Sequence, residues 1–235
     1  MVRMRDKLEH IRMALVVAAH PDDEIIGCGG TLARLRADGS EICIMLLGEG
    51  STSRNVSERN DSIRREAASS ALAAAKSFGI TDVRFAELPD NRFDTVPLLD
   101  IIKKIEAVKH VVRPDLVITH HAGDLNIDHV ITHRAVMTAF RPLPGERAPV
   151  ILSFEVLSCT EYSPPGMMPP FTPNLYIDIQ GFLEAKQRAL AAYAYEMRPW
   201  PHPRSHKAVE HLARLRGSQC GCEAAEAFVL LRAAL

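Results

Sequence analysis

Two rhythms of apolar and polar positions alternate through the first 140 residues. Short runs of small and β-branched residues predict buried strands at Ala14–Ala19, Ile42–Leu47, Val83–Leu88 and Leu116–Thr119. Apolar residues at helical spacing predict helices over Thr31–Asp38, Ser62–Phe78, Leu98–Val112 and Asp128–Phe140. Gly39 and Gly79 close the first two, and a Gly/Ser/Thr-rich loop spans Gly48 to Ser57. Strands alternating with helices imply βαβ units, hence an α/β fold with a mostly parallel sheet covered on both faces.

Beyond residue 150 the pattern loosens. Val150–Leu157 and Leu175–Ile179 read as strands, and Ser163–Pro173 as a proline-rich loop. Phe182–Met197, His206–Arg216 and Ala224–Leu235 read as helices. No repeat or low-complexity linker divides the 235 residues, so one domain, 1–235, is expected, its part from about residue 150 building over the site.

Composition narrows the classes. Hydrophobic residues at 47% permit a full core, and a net charge of -1 with no basic cluster argues against a nucleic-acid reader. No apolar stretch is long enough for a secretory signal or a membrane span, and five scattered cysteines suit a reducing compartment; a cytoplasmic protein is expected. Cys220-Gly221-Cys222 lacks the second pair that a zinc knuckle needs.

In an open parallel sheet, ligands sit beyond the carboxyl ends of the strands, so polar residues there carry most weight. Two clusters qualify. His20-Pro21-Asp22-Asp23-Glu24 follows the first strand and precedes Gly27, Gly29 and Gly30, which permit close backbone approach. His20 and Asp23 suit one ion, leaving Asp22 free to accept a proton from activated water. The plainer alternative is a loop whose Asp22 or Asp23 caps the next helix. His120 through His129 follows the fourth strand; His129 opens a helix, and Asp128 is placed to orient its ring. Together His20, Asp23 and His129 form a two-histidine, one-carboxylate set with a vacant position, which suits catalytic zinc; non-haem Fe2+ uses the same ligand set and is the alternative. His133, one turn on, is assigned to packing.

At these boxes the sequence resembles the PIG-L/LmbE-like family of zinc-dependent N-deacetylases, through Ala19-His20-Pro21-Asp22-Asp23-Glu24 and the helix-opening Asp128-His129. The resemblance implies a Rossmann-like three-layer sandwich, zinc on His20, Asp23 and His129, Asp22 as general base, and N-acetyl amino sugars as substrates. Many members carry a histidine where this chain has Asn126, which can donate a hydrogen bond but not a proton. The acid is either Asp22, returning the proton it took, or a histidine, with His202 in the proline-rich Arg198–Ser205 segment and His121 as competing candidates; either histidine or Asn126 is the candidate oxyanion donor. Arg92, Asp94 and Asp124 are candidate substrate contacts; a surface salt bridge is the alternative for the first two. The expected partner is a small amino-sugar substrate; oligomeric state stays open, with Ser163–Pro173 and Pro199–Pro203 as candidate contact surfaces of a homo-oligomer. A thiol-conjugate amidase and a metal-free binding module are the rival functions.

Overall fold

The computed structural model describes residues 11–50 and 60–233; the greater part of the expected Gly48–Ser57 loop lies outside them, as do residues 1–10. Five parallel strands form most of the sheet: β1 (Met13–Ala18), β2 (Glu41–Gly48), β3 (Asp82–Leu88), β4 (Leu116–His120) and β5 (Val150–Phe154). β7 (Ala225–Arg232) lies antiparallel between β5 and β6 (Leu175–Asp178), giving the order β3-β2-β1-β4-β5-β7-β6. The helices are α1 (Asp23–Ala37), α2 (Asn60–Ser77), α3 (Leu98–Val112), α4 (Ile127–Ala139), α5 (Leu183–Leu190) and α6 (His206–Cys220).

Strand side chains alternate between two cores, as the period of two requires. Ala14, Val16 and Ala18 join Leu32, Ala71, Leu190 and Val209, from α1, α2, α5 and α6. Leu15, Val17 and Ala19 join Ile101, Ile105 and Val136, from α3 and α4. The result is the expected three-layer α/β sandwich. β1 and β4 are neighbours, yet the chain leaves β1 towards β2 and leaves β4 towards β5. Their carboxyl ends therefore flank a topological switch point, where a crevice opens above the sheet. No helix among the described residues is long and apolar enough to cross a membrane.

Three expectations need correction. The helix expected over Ala224–Leu235, a segment rich in helix formers whose last two residues lie outside the described ones, is strand β7 over Ala225–Arg232: the open edges of β5 and β6 supply a ladder that outweighs local propensity. The helix expected over Phe182–Met197 is regular only to Leu190, followed by a 3-10 turn at Ala191–Tyr193. α1 starts at Asp23, eight residues before Thr31, so the glycines lie inside it. A Cβ on Gly27 would sit 2.2 Å from Phe154, and one on Gly30 2.6 Å from Ile179. The glycines bring α1 down onto the sheet, and with it the two aspartates at its start.

Candidate metal centre

His20 follows β1, Asp23 begins α1, and His129 sits in the first turn of α4, which follows β4. The two loops meet. His20 Nδ1 lies 3.3 Å from Asp23 Oδ2 and 3.3 Å from His129 Nε2, and His129 Nε2 lies 3.2 Å from Asp23 Oδ2. Tetrahedral zinc with ligands at about 2.0–2.1 Å separates them by about 3.3–3.4 Å, so the triangle fits one such ion. All three side chains are buried, and among the described residues Asp23 Oδ1 and Asp22 Oδ1 have no hydrogen-bond partner. A donor set of two imidazoles and a carboxylate suits zinc or ferrous iron alike.

The far nitrogens of both imidazoles face carboxylates. His20 Nε2 is 2.9 Å from Asp128 Oδ2 and 2.8 Å from Asp90 Oδ1; His129 Nδ1 is 3.1 Å from Asp124 Oδ2. Each ring thus offers one nitrogen to the ion position and the other to a carboxylate that fixes its orientation. The pairing departs from expectation. Asp128, one residue before His129, orients His20 rather than its neighbour, because at the helix start its side chain reaches back towards β1. Asp124, expected to contact substrate, is 1% exposed and lies behind His129, with its carboxylate also bonded to Thr160 Oγ1 at 2.8 Å.

These charges set the protonation of the protein without an ion. Burial draws His129 down, but Asp23 and Asp124 outweigh it and lift its pKa to about 9. Burial pushes Asp23 up, but His129 and His20 outweigh it and hold its carboxyl well below the ordinary range. Protons on the rings stand in for the cation, so metal must displace them on binding.

Asp22 caps nothing. Its backbone is strained, with φ 113, and its side chain makes no bond to the first turn of α1. Oδ2 instead accepts from the Arg204 guanidinium, while the Asp22 amide donates to Glu24 Oε2 at 3.0 Å. The Tyr193 hydroxyl donates to the same buried Glu24 carboxyl, and burial lifts that carboxyl to about 7. Burial likewise raises Asp22 well above the ordinary carboxylate value, against the pull of Arg204. Strain and desolvation at one buried aspartate beside the candidate ion position single out Asp22 as a candidate for chemistry.

A cavity of 200 Å³ opens over this cluster, lined by His20, Asp22, Asp90, Asn91, Asn126 and Arg204 among others. A larger one, of 560 Å³, lies between Arg113, Phe140 and Arg147 and touches none of these residues; donor chemistry, not size, selects the site. Asn126 is the N-cap of α4, accepting from the Asp128 amide at 2.9 Å and donating to Asn91 Oδ1 at 3.1 Å. His202 is exposed and outside this lining, its Nδ1 accepting from the Arg204 amide. His121 is tied by Nε2 to the Pro169 carbonyl at 3.0 Å and packs on Phe171. Arg92 and Asp94 are exposed and also outside the lining. His133 bonds the His120 carbonyl at 2.8 Å.

Sequence reasoning quoted Asp90, His120 and Arg204 within its motifs but gave none of them a role. Asp90 lies two residues after β3, at a strand's carboxyl end like the two boxes, and that signal was available. His120 is buried, stacks on His129 with centroids 3.9 Å apart, and accepts from the Ala19 amide at 2.8 Å. That bond leaves Nε2 unprotonated, and burial with the neighbouring His129 lowers its pKa well below the usual imidazole value. Arg204 reaches Asp22 across 182 positions of sequence, which no local pattern announces.

The PIG-L family model, described as GlcNAc-PI de-N-acetylase, matches residues 15–140. A diacetylchitobiose deacetylase from Thermococcus kodakarensis is 27% identical over 205 residues, covering 81% of this chain and 72% of the relative. Among solved structures, the N,N'-diacetylchitobiose deacetylase from Pyrococcus horikoshii superposes with a TM-score of 0.78 at 17% identity, over 97% of this chain and 87% of its own. A 4-carboxy-2-hydroxymuconate hydratase from Pseudomonas putida superposes with a TM-score of 0.76 at 21% identity, over 95% of this chain and 98% of its own.

Proposed function

The chain belongs to the PIG-L family, and from that membership we propose that it is a zinc-dependent hydrolase that removes the N-acetyl group of an N-acetylglucosamine-type amino sugar. The observation that carries the reading is the His20, Asp23, His129 triangle with Asp22 beside it in an open cavity. The same fold also carries a hydratase, so fold alone does not choose the reaction; the reading leans on the family match and the deacetylase relative.

His20, Asp23 and His129 would hold the ion, with Asp128, Asp90 and Asp124 fixing the two rings. When bound, zinc supplies Lewis acidity at the amide carbonyl and lowers the pKa of water to about 7. Asp22 accepts the proton as water attacks the carbonyl carbon, its unpartnered Oδ1 providing the acceptor. Arg204 and Asn126, both lining the cavity, are placed to donate to the oxygen that gains charge. Neither delivers a proton to the leaving nitrogen, so Asp22 returns the one it took.

The test is amine release from a panel of free, nucleotide-linked, lipid-linked and β-linked N-acetylhexosamines, with metal content measured on the same sample. Release from at least one, abolished by chelation and restored by zinc, is the expected result. A fully metal-loaded protein that deacetylates no member overturns the proposal.

A further inference from the structure

The two cysteines at the end of α6 stand apart from the other three. Cys28, Cys43 and Cys159 are buried, and burial pushes the first well above the ordinary thiol value and the other two to about 12. Cys220 is exposed and Cys222 half-buried. Between them Gly221 adopts φ 82, the left-handed conformation that ends the helix, and the amides of Gly221 and Cys222 both donate to the Gly217 carbonyl, at 2.9 and 3.0 Å. This turn folds residue 222 back beside residue 220. The sulfurs lie 3.4 Å apart, with Cys220 Sγ 3.5 Å from the Gly217 carbonyl and Cys222 Sγ 3.4 Å from the Ala224 carbonyl.

We propose that Cys220 and Cys222 form a reversible dithiol–disulfide site that reacts with low-molecular-weight disulfides. A bond at about 2.05 Å requires the sulfurs to close by about 1.4 Å, within reach of side-chain rotation at an exposed turn. The exposed Cys220 thiolate attacks the small disulfide and expels one thiolate. Cys222 then attacks Cys220 Sγ in the mixed disulfide and expels the second. One sulfur–sulfur bond is made in the protein and one broken in the reagent; the two thiol protons pass to the two departing thiolates. The protein pair is oxidised and the reagent reduced. A ring closed through one intervening glycine is tight, and tight or exposed disulfides are the readily reduced ones, which makes the site reversible. Exchange needs thiolate, and burial together with the neighbouring Cys220 lifts the Cys222 thiol to about 11, so ring closure quickens as pH rises.

Native protein incubated with oxidised glutathione at pH 8.5 should lose two of its five thiols, counted after unfolding. Mass spectrometry should find no retained glutathione and a peptide linking residues 220 and 222, reversed by dithiothreitol. Cys222→Ser should instead keep one glutathione on Cys220, and Cys220→Ser should lose the internal link. A stable glutathione adduct on the unsubstituted protein, a link involving any other cysteine, or no thiol loss while Cys222→Ser takes up glutathione would each overturn the proposal. Failure of Cys222→Ser to react would equally overturn it, since Cys220 is the required point of entry.

Discussion

Replacing Lys186 with Met tests whether charge holds the break that aims α1 at the metal position. Cys28 inside α1 has φ -144, outside the helical range. In a regular helix the Gly30 amide would donate to the Ile26 carbonyl. Here the Gly30 and Thr31 amides donate to the Glu226 carboxylate at 2.9 and 2.7 Å, and Lys186 Nζ donates to the Ile26 carbonyl at 2.8 Å and to Glu226 Oε1 at 2.6 Å. Lys186 is 3% exposed and Glu226 4%. Lys186→Met leaves a buried carboxylate without its counter-charge and a carbonyl without its donor. Removing one partner of a buried pair costs about 3–5 kcal/mol, against a total stability of about 5–15 kcal/mol. With a urea slope of about 2–3 kcal/mol per molar, the unfolding midpoint should fall by about 1–2.5 M. A single variant within about 1 kcal/mol of the parent would refute the reasoning.

Four further outcomes follow from the site. Asp22→Asn should retain stoichiometric metal yet lose about 10²–10⁴-fold in turnover; activity within tenfold of the parent rejects Asp22 as the base. Zinc at a hundredfold excess over its Kd should stabilise the metal-free protein by about 2.7 kcal/mol, or about 5–10 °C in Tm, and His129→Ala should abolish that rise in a thermal melt. Asp128→Asn should weaken zinc affinity about 10–100-fold in a competition titration with a chelator, because His20 loses a carboxylate that orients it; unchanged affinity would mean Asp90 suffices. Gly27→Ala should cost about 1–3 kcal/mol by urea denaturation, since its Cβ would meet the buried Phe154 ring at 2.2 Å.

Much of the site was legible before any coordinates. His20 through Glu24 and Asp128-His129 fall where strands end, and alternation of apolar runs with helical periods fixes which ends those are. Periodicity records burial phase and backbone type over a few residues, so it located β1 to β5 and both ligand boxes. It carried no information on partners far along the chain. Asp128 serves His20 at a separation of 108, Arg204 holds Asp22 at 182, and Glu226 holds the amides of Gly30 and Thr31 nearly 200 residues earlier.

The chain's own letters therefore determined the α/β class, the carboxyl ends of the strands as the place of the candidate site and its three metal-competent side chains, because each is encoded by neighbours in sequence. Only the tertiary structure decided which carboxylate orients which imidazole, that Arg204 and not His202 enters the cavity, and that Ala225–Arg232 is a strand. Those outcomes depend on which surfaces meet when β1, β4 and β5 pack side by side. A carboxylate's role and a segment's conformation are then set by the nearest unsatisfied donor or open sheet edge, wherever in the chain that lies.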